Sequence, residues 1–210
     1  MFPDQARKPE DRMTILSLLC WVFSYLGGSL PFAVWVIRWT KGIDVREGGS
    51  GHMTTTNTIR QAGWVLGILV FLMDTAKGYI PTYIAIHLGL PDWSTGLTAM
   101  FAVIGHCWPI FAQFRGGKGL AVTGGTLLAV SPLGFLIAVC VLVFFVLVTR
   151  HAARGSLFAA LLIPAVLWLL GYRGVITYIS VLAGLVIAGR FIVDWNRKYR
   201  ELWLDREKHA

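Results

Sequence analysis

The sequence predicts an all-α integral membrane protein: a bundle of about seven transmembrane helices, with the N-terminus outside and the C-terminus cytoplasmic. Three observations predict it. Hydrophobic residues fill 56% of the 210 positions and charged residues only 14%, a balance too apolar for a soluble domain. The apolar residues fall in long uncharged runs, and a helix rising about 1.5 Å per residue crosses a hydrocarbon layer of about 30 Å in roughly 20 of them. The cations cluster in alternate connections between the runs, as the positive-inside rule distributes them.

Segment 1–13 carries Asp4, Arg7, Lys8, Glu10, Asp11 and Arg12, so its charges cancel. The run behind it, 14–37, exceeds a signal-peptide core and is expected to be retained as the first span. GSLPF at 28–32 breaks that span near its cytoplasmic end, as Gly and Pro do where a helix walls a cavity. Further spans are expected at 62–86, 95–114, 120–130, 133–148, 156–170 and 175–193, of which 120–130 and 156–170 are short. Pro132 is either a turn between two helices or a kink inside one, and charge decides for the turn. With seven spans, one face receives Arg38, Lys41, Arg46 and Arg60, then Arg115 and Lys118, then Arg150 and Arg154, then a basic tail at 194–210. The other face receives only Asp92 and Arg173 besides the balanced N-terminus, and a kink at Pro132 would scramble this alternation. No repeat, low-complexity tract or linker divides the chain, so a single domain is expected across 1–210.

Lys and Arg outnumber Asp and Glu by 19 to 11, so the segments that reach water should prefer anions. The first cytoplasmic loop, GIDVREGGSGHMTTTNTIRQ at 42–61, holds Arg46, Ser50, Gly51, Thr54, Thr55, Thr56, Asn57 and Arg60. Glycines let backbone N–H groups converge on an oxyanion, hydroxyls and amides add neutral donors, and arginines add bidentate charge. The bland alternative is a flexible loop whose arginines only set topology. The third loop, FRGGKG at 114–119, supplies a second anion site on the same face: Arg115, Gly116, Gly117 and Lys118 lead straight into a helix N-terminus. It is not a nucleotide-binding P-loop, because Ala112 stands where the first glycine belongs and Gly119 follows Lys118 where Ser or Thr is required.

Within the spans, Asp74 and Lys77 at i and i+3 are expected to pair, since each is costly alone in a bilayer. His106 is either a satisfied core histidine or a proton-handling group. His151 is expected at a solvated interface. His87 and Asp92 match an H-x-x-x-x-D acyltransferase pattern, but on the face lacking cations, and the match is taken as chance. Cys20, Cys107 and Cys140 stand apart in apolar stretches and read as buried packing residues. No metal, cofactor or nucleic-acid partner is expected.

These elements, in this order, resemble the bacterial acyl-phosphate:glycerol-3-phosphate acyltransferase (PlsY) family: GSLPF, GIDVREGGSG with TN-x-x-R, D-x-x-KG at 74–78, GHCWPIFAQFRGGKG at 105–119, and TR followed by GS at 149–156. The chain departs from the family's usual pattern at His52 in place of Asn, Thr54 in place of Gly, and Ala153 in place of Ser. The family's C-terminal R-H-R-x-N-I is matched only loosely by Arg190, Asn196 and Arg200. The resemblance implies a seven-span inner-membrane enzyme of phospholipid biosynthesis that moves an acyl group from acyl phosphate to the 1-hydroxyl of glycerol 3-phosphate. It implies that Arg46, Asn57 and Arg60 hold glycerol 3-phosphate, that Ser50, Gly51, Gly116, Gly117 and Lys118 cradle the acyl phosphate, and that Arg115 is a further substrate-binding residue. His106 would assist the proton, unless the leaving phosphate takes it, so Ser50, Lys118 and His106 are the candidate catalytic residues. Membrane lipids would surround the acyl chain, and an acyl-phosphate-forming enzyme would supply the donor. An organic-anion transporter and a non-catalytic or substrate-shifted paralogue remain as alternatives, the first disfavoured by the missing repeat.

Overall fold

The computed structural model describes residues 9–196, and these are helical throughout apart from turns and connections. The first apolar run is two helices, α1 (Pro9–Gly28) and α2 (Phe32–Lys41), broken at Ser29-Leu30-Pro31 where the sequence places the break. They are followed by α3 (Thr55–Ala62), α4 (Trp64–His87), α5 (Asp92–Cys107), α6 (Leu120–Val130), α7 (Pro132–Thr149), α8 (Ala152–Leu169) and α9 (Val175–Ile192). Six apolar segments are long enough to cross a bilayer, with α1 and α2 forming the first of them. The expected fourth span, α6, has 11 residues, a rise of about 16 Å and so only about half the hydrocarbon thickness. Among the described residues there are thus six full spans and one half-span. Pro132 occupies the first turn of α7, and the Ser131 hydroxyl caps that helix by accepting from Gly134 N at 3.0 Å, so the proline marks a turn between helices.

The long first loop is only partly a loop. Thr54 caps α3 by accepting from Asn57 N at 3.2 Å, and the eight-residue helix ends at Gly63, from which α4 departs in a new direction. The segment is amphipathic but polar on balance, so hydropathy gives no span signal here.

Close helix contacts explain the glycines inside the spans. A methyl group at Gly28 would strike the Ala102 carbonyl of α5 and one at Gly105 the Tyr25 carbonyl of α1, while Gly78 and Gly125 bring α4 and α6 together in the same way. Small residues at such crossings let backbones approach where hydrocarbon gives no hydrophobic drive between helices. Polar groups finish the α1–α5 seam: Ser24 donates to Thr98 O at 2.6 Å and Ser94 to Ser17 Oγ at 2.8 Å. By contrast α7, only 11% buried, turns Leu136, Val143, Phe144 and Leu147 outwards, as a lipid-facing helix does. Cys140 lies exposed on α7 and Cys20 is half-buried, so only Cys107 is the buried packing residue expected of all three.

One apolar cluster anchors the site. Val45 and Met53 of the first loop pack with Val34 and Ile37 of α2, Val70 of α4 and Ala112. The loop is therefore fastened into the core at two points.

Candidate functional site

The first loop is organised around one side chain. Asn57 is completely buried; its Nδ2 donates to the carbonyls of Val45 (2.9 Å), Gly48 (3.2 Å) and His52 (3.0 Å), and its Oδ1 accepts from Ser50 N at 3.0 Å. Gly49 takes φ +56° beside it, where a Cβ would strike the Asn57 amide oxygen. Every polar atom of the Asn57 side chain thus serves the loop's own backbone.

Arg46 is similarly committed. Its guanidinium makes a bidentate pair with Asp44, at 2.6 Å for the shortest contact, and donates to Ala112 O at 3.1 Å. Those hydrogen bonds hold the Asp44 carboxyl below the usual carboxylate range, and the Ala112 contact ties the first loop to the third. Met53 N donates to Gly116 O at 3.5 Å across the same seam.

The third loop owes its glycines to packing. A methyl group at Gly116 would meet the Cys107 carbonyl at 2.5 Å, and one at Gly117 would fall on the His106 imidazole and 2.6 Å from Met53 O. Gly117 N donates to His106 O at 3.0 Å, and Gly117 O accepts from Arg190 of α9 at 3.1 Å. Lys118 is buried and pairs with Asp194, just beyond α9.

These connections close around a cavity of about 540 Å³ whose wall includes Ser50, His52, Thr54, Thr55, Thr56, Arg60, Asp74, His106, Lys118, Gly119, Leu120, Ala121, Ala152 and Ser156. Three helices begin on it: α3 through Thr55 and Thr56, α6 through Leu120 and Ala121, and α8 through Ala152. The start of α6 has no side-chain cap, its preceding residue being Gly119 at φ +85°. Helix N-termini present unpaired N–H groups and partial positive charge, so their convergence beside Lys118 makes an anion receptor. Ile59, Trp64, Phe71 and Phe191 line the rest of the wall with apolar surface.

Of the predicted residues, Ser50, Arg60, His106 and Lys118 meet at this cavity. Arg46, Gly51, Asn57, Gly116 and Gly117 stand behind the wall as its supports, and Arg115 is exposed outside it. Supporting residues look like ligands in sequence because loops that shape an anion site and loops that touch the anion use the same residue types. Sequence reasoning missed Asp194, Ser156 and the cavity-facing position of Asp74. Asp194 carried one signal, being an acid where the last apolar run meets the basic tail.

Asp74 and Lys77 form the expected pair at 2.7 Å, with Lys77 Nζ also 4.8 Å from the centre of the Phe32 ring. His106 Nδ1 is buried 3.6 Å from Asp74 Oδ1. His151, expected at a solvated interface, is instead buried and caps α8, its Nδ1 accepting from Arg154 N at 3.4 Å. His87 lies against Tyr83 with 3.9 Å between ring centres, and its Nδ1 is 2.9 Å from Tyr83 O. Residues 1–8 and the tail from 197, including Arg200, lie outside the described residues.

Fold and cavity together define a polytopic membrane protein whose cavity joins cationic groups and helix N-termini to apolar walls. The chain belongs to the glycerol-3-phosphate acyltransferase family, whose model matches residues 18–202. It is 44% identical to the glycerol-3-phosphate acyltransferase of Thermotoga petrophila over 156 residues, 72% of this chain and 77% of the relative. It is 36% identical to that of Pseudomonas aeruginosa over 191 residues, 90% of this chain and 96% of the relative. Among solved structures, PlsY, an integral membrane glycerol 3-phosphate acyltransferase, matches in its glycerol 3-phosphate form with a TM-score of 0.76 and 35% identity, covering 86% of this chain and 90% of that one. The same protein in its lysophosphatidic acid form matches with a TM-score of 0.76 and 34% identity.

Proposed function

We propose that this protein transfers a fatty acyl group from acyl phosphate to the 1-hydroxyl of glycerol 3-phosphate, giving lysophosphatidic acid and inorganic phosphate. Family membership supports the acyltransferase activity, and the solved forms of PlsY with glycerol 3-phosphate and with lysophosphatidic acid support the acceptor and the product. The observation that carries the reading is one cavity in which Lys118, Ser50, Arg60 and the uncapped start of α6 stand beside apolar walls. Phosphate groups need the first set, and a fatty acyl chain needs the second.

The donor is a mixed anhydride, already activated, so a protein nucleophile is unnecessary and positioning with charge stabilisation carries the reaction. The glycerol oxygen bonds to the acyl carbon, the acyl–phosphate C–O bond breaks, and the hydroxyl proton ends on the departing phosphate, directly or through His106. Lys118 and the α6 N–H groups stabilise the charge that accumulates on the phosphate and the acyl oxygen. Ser50 donates from the first loop and Arg60 holds the acceptor phosphate. In this assignment Arg46, Asn57, Gly116 and Gly117 position the loops and do not touch substrate. The site faces the cytoplasm, with membrane lipids around the bundle and the donor supplied by an acyl-phosphate-forming enzyme.

The test supplies purified protein with glycerol 3-phosphate and palmitoyl phosphate, palmitoyl-CoA or palmitoyl-acyl carrier protein. Lysophosphatidic acid is expected with palmitoyl phosphate alone. Product with the CoA ester alone would overturn the donor assignment. Lys118→Ala should lower turnover about 100-fold, the usual loss when one charge-stabilising donor is removed.

A further inference from the structure

Asp194 follows α9 and is 4% exposed. Its carboxylate pairs with Lys118 Nζ, and the same oxygen lies 3.4 Å from His52 Nε2. The acyl transfer described above makes no use of it. Lys118 is the buried cation beside the start of α6, its Nζ 5.3 Å from the centre of the Phe191 ring. A carboxylate therefore already sits on the cation to which a phosphate must bind. Two anions on one buried cation oppose each other strongly, because little water screens them. His52, on the cavity wall, stands within reach of that carboxylate as a second partner.

We propose that Asp194 is an internal counter-ion that a phosphate group displaces from Lys118, and that His52 receives the displaced carboxylate. This rests on the reading that Lys118 binds phosphate. Before substrate arrives, Asp194 neutralises and orients Lys118 at a depth where a bare ammonium is costly. When phosphate enters, the carboxylate shifts to the imidazole and the ammonium turns to the phosphate. When product phosphate leaves, Asp194 returns. Phosphate affinity is then the difference between two anions competing for one cation, which holds it low enough for release. His52 and Asp194 lie far apart in the chain, one in the first loop and one beyond α9, and both make contacts that a phosphate-cradling role does not require.

The test titrates inorganic phosphate, and separately glycerol 3-phosphate, into purified full-length protein by calorimetry. Asp194→Asn should bind phosphate about tenfold tighter or more, as expected when a like charge is removed from a poorly screened site, and phosphate should inhibit its turnover correspondingly more. His52→Ala leaves the carboxylate on Lys118 and should bind phosphate several-fold more weakly than the wild type, by the same competition. The double variant should match Asp194→Asn. If Asp194 only orients Lys118, Asp194→Asn binds phosphate equally or more weakly with its melting temperature preserved, and that result overturns the exchange. Should Asp194→Asn fail to fold, His52→Ala decides, and an unchanged phosphate affinity overturns the proposal. Lys118→Ala separates the two levels: unchanged phosphate binding removes Lys118 from the site and sinks the underlying reading, whereas weakened binding with an unaffected Asp194→Asn sinks the exchange alone.

Discussion

Replacing Asn57 by Asp changes one atom and places an oxygen where three carbonyls converge. The amide nitrogen now serves Val45, Gly48 and His52 from a fully buried position. With two hydrogens to share and about 1 kcal/mol per net hydrogen bond, removing the donor costs about 2 kcal/mol, and leaving buried carbonyls unsatisfied raises this to about 3. Asn57→Ala should lose that much from the loop. Asn57→Asp should lose more, because it adds a buried charge facing acceptors. About 3 kcal/mol corresponds to roughly a hundredfold change in an opening equilibrium, so hydrogen exchange of the amides at 45–52 should accelerate by that order in Asn57→Ala. Turnover should fall in parallel, with KM rising for both substrates. The reasoning would be refuted by Asn57→Ala that loses activity while exchange at 45–52 is unchanged, since Asn57 would then act on substrate. Near-wild-type activity of Asn57→Asp would be equally damaging.

Gly117→Ala drives a methyl group onto the His106 ring and Met53 O; a stability loss of about 1–3 kcal/mol and a collapse of activity are expected, whereas Gly27→Ala, with nothing within 4 Å, should be neutral or stabilising by up to about 1 kcal/mol, both read from thermal melts. Asp74→Asn or Lys77→Met alone should each destabilise by about 3–5 kcal/mol, by stranding a buried partner, and the double variant should recover much of it; simple additivity in that cycle would argue against the pair. Arg46 lowers the pKa of Asp44 in the folded protein, so the pair stabilises above the unfolded carboxyl value of about 4 and loses this as pH falls through the lowered value. The melting-temperature advantage of wild type over Asp44→Asn should therefore be full at pH 7 and shrink below about pH 4; a gap constant down to pH 3 would contradict it.

Much of the fold was legible along the chain because hydropathy and loop charge are local and additive. The break at 29–31 and the Asp74–Lys77 pair followed from residue types at short spacing, and the turn at Pro132 from the alternation of charge between connections. The helix α3 escaped because a polar amphipathic segment carries no membrane signal, whereas the bounds of α6 at 120–130 were legible and the structure adds that so short a helix covers only part of the bilayer. For the site, the two anion-binding loops were recognisable, yet the division of labour within them was not. Asn57 and Arg46 have the chemistry of ligands, and only the structure shows their polar atoms engaged by Val45 O and Ser50 N for one and by Asp44 and Ala112 for the other.

The sequence by itself determined that the chain spans a membrane, where its cations gather, and which family its motifs follow, since each depends on residues near one another in the chain. The tertiary structure alone decided that α3, α6 and α8 start on one cavity and that Lys118 meets Asp194 across 76 positions. It also decided that His52 of the first loop faces that same carboxylate. The physical reason is that a buried ion pair forms only where packing brings two distant elements together and excludes the water that would otherwise screen them.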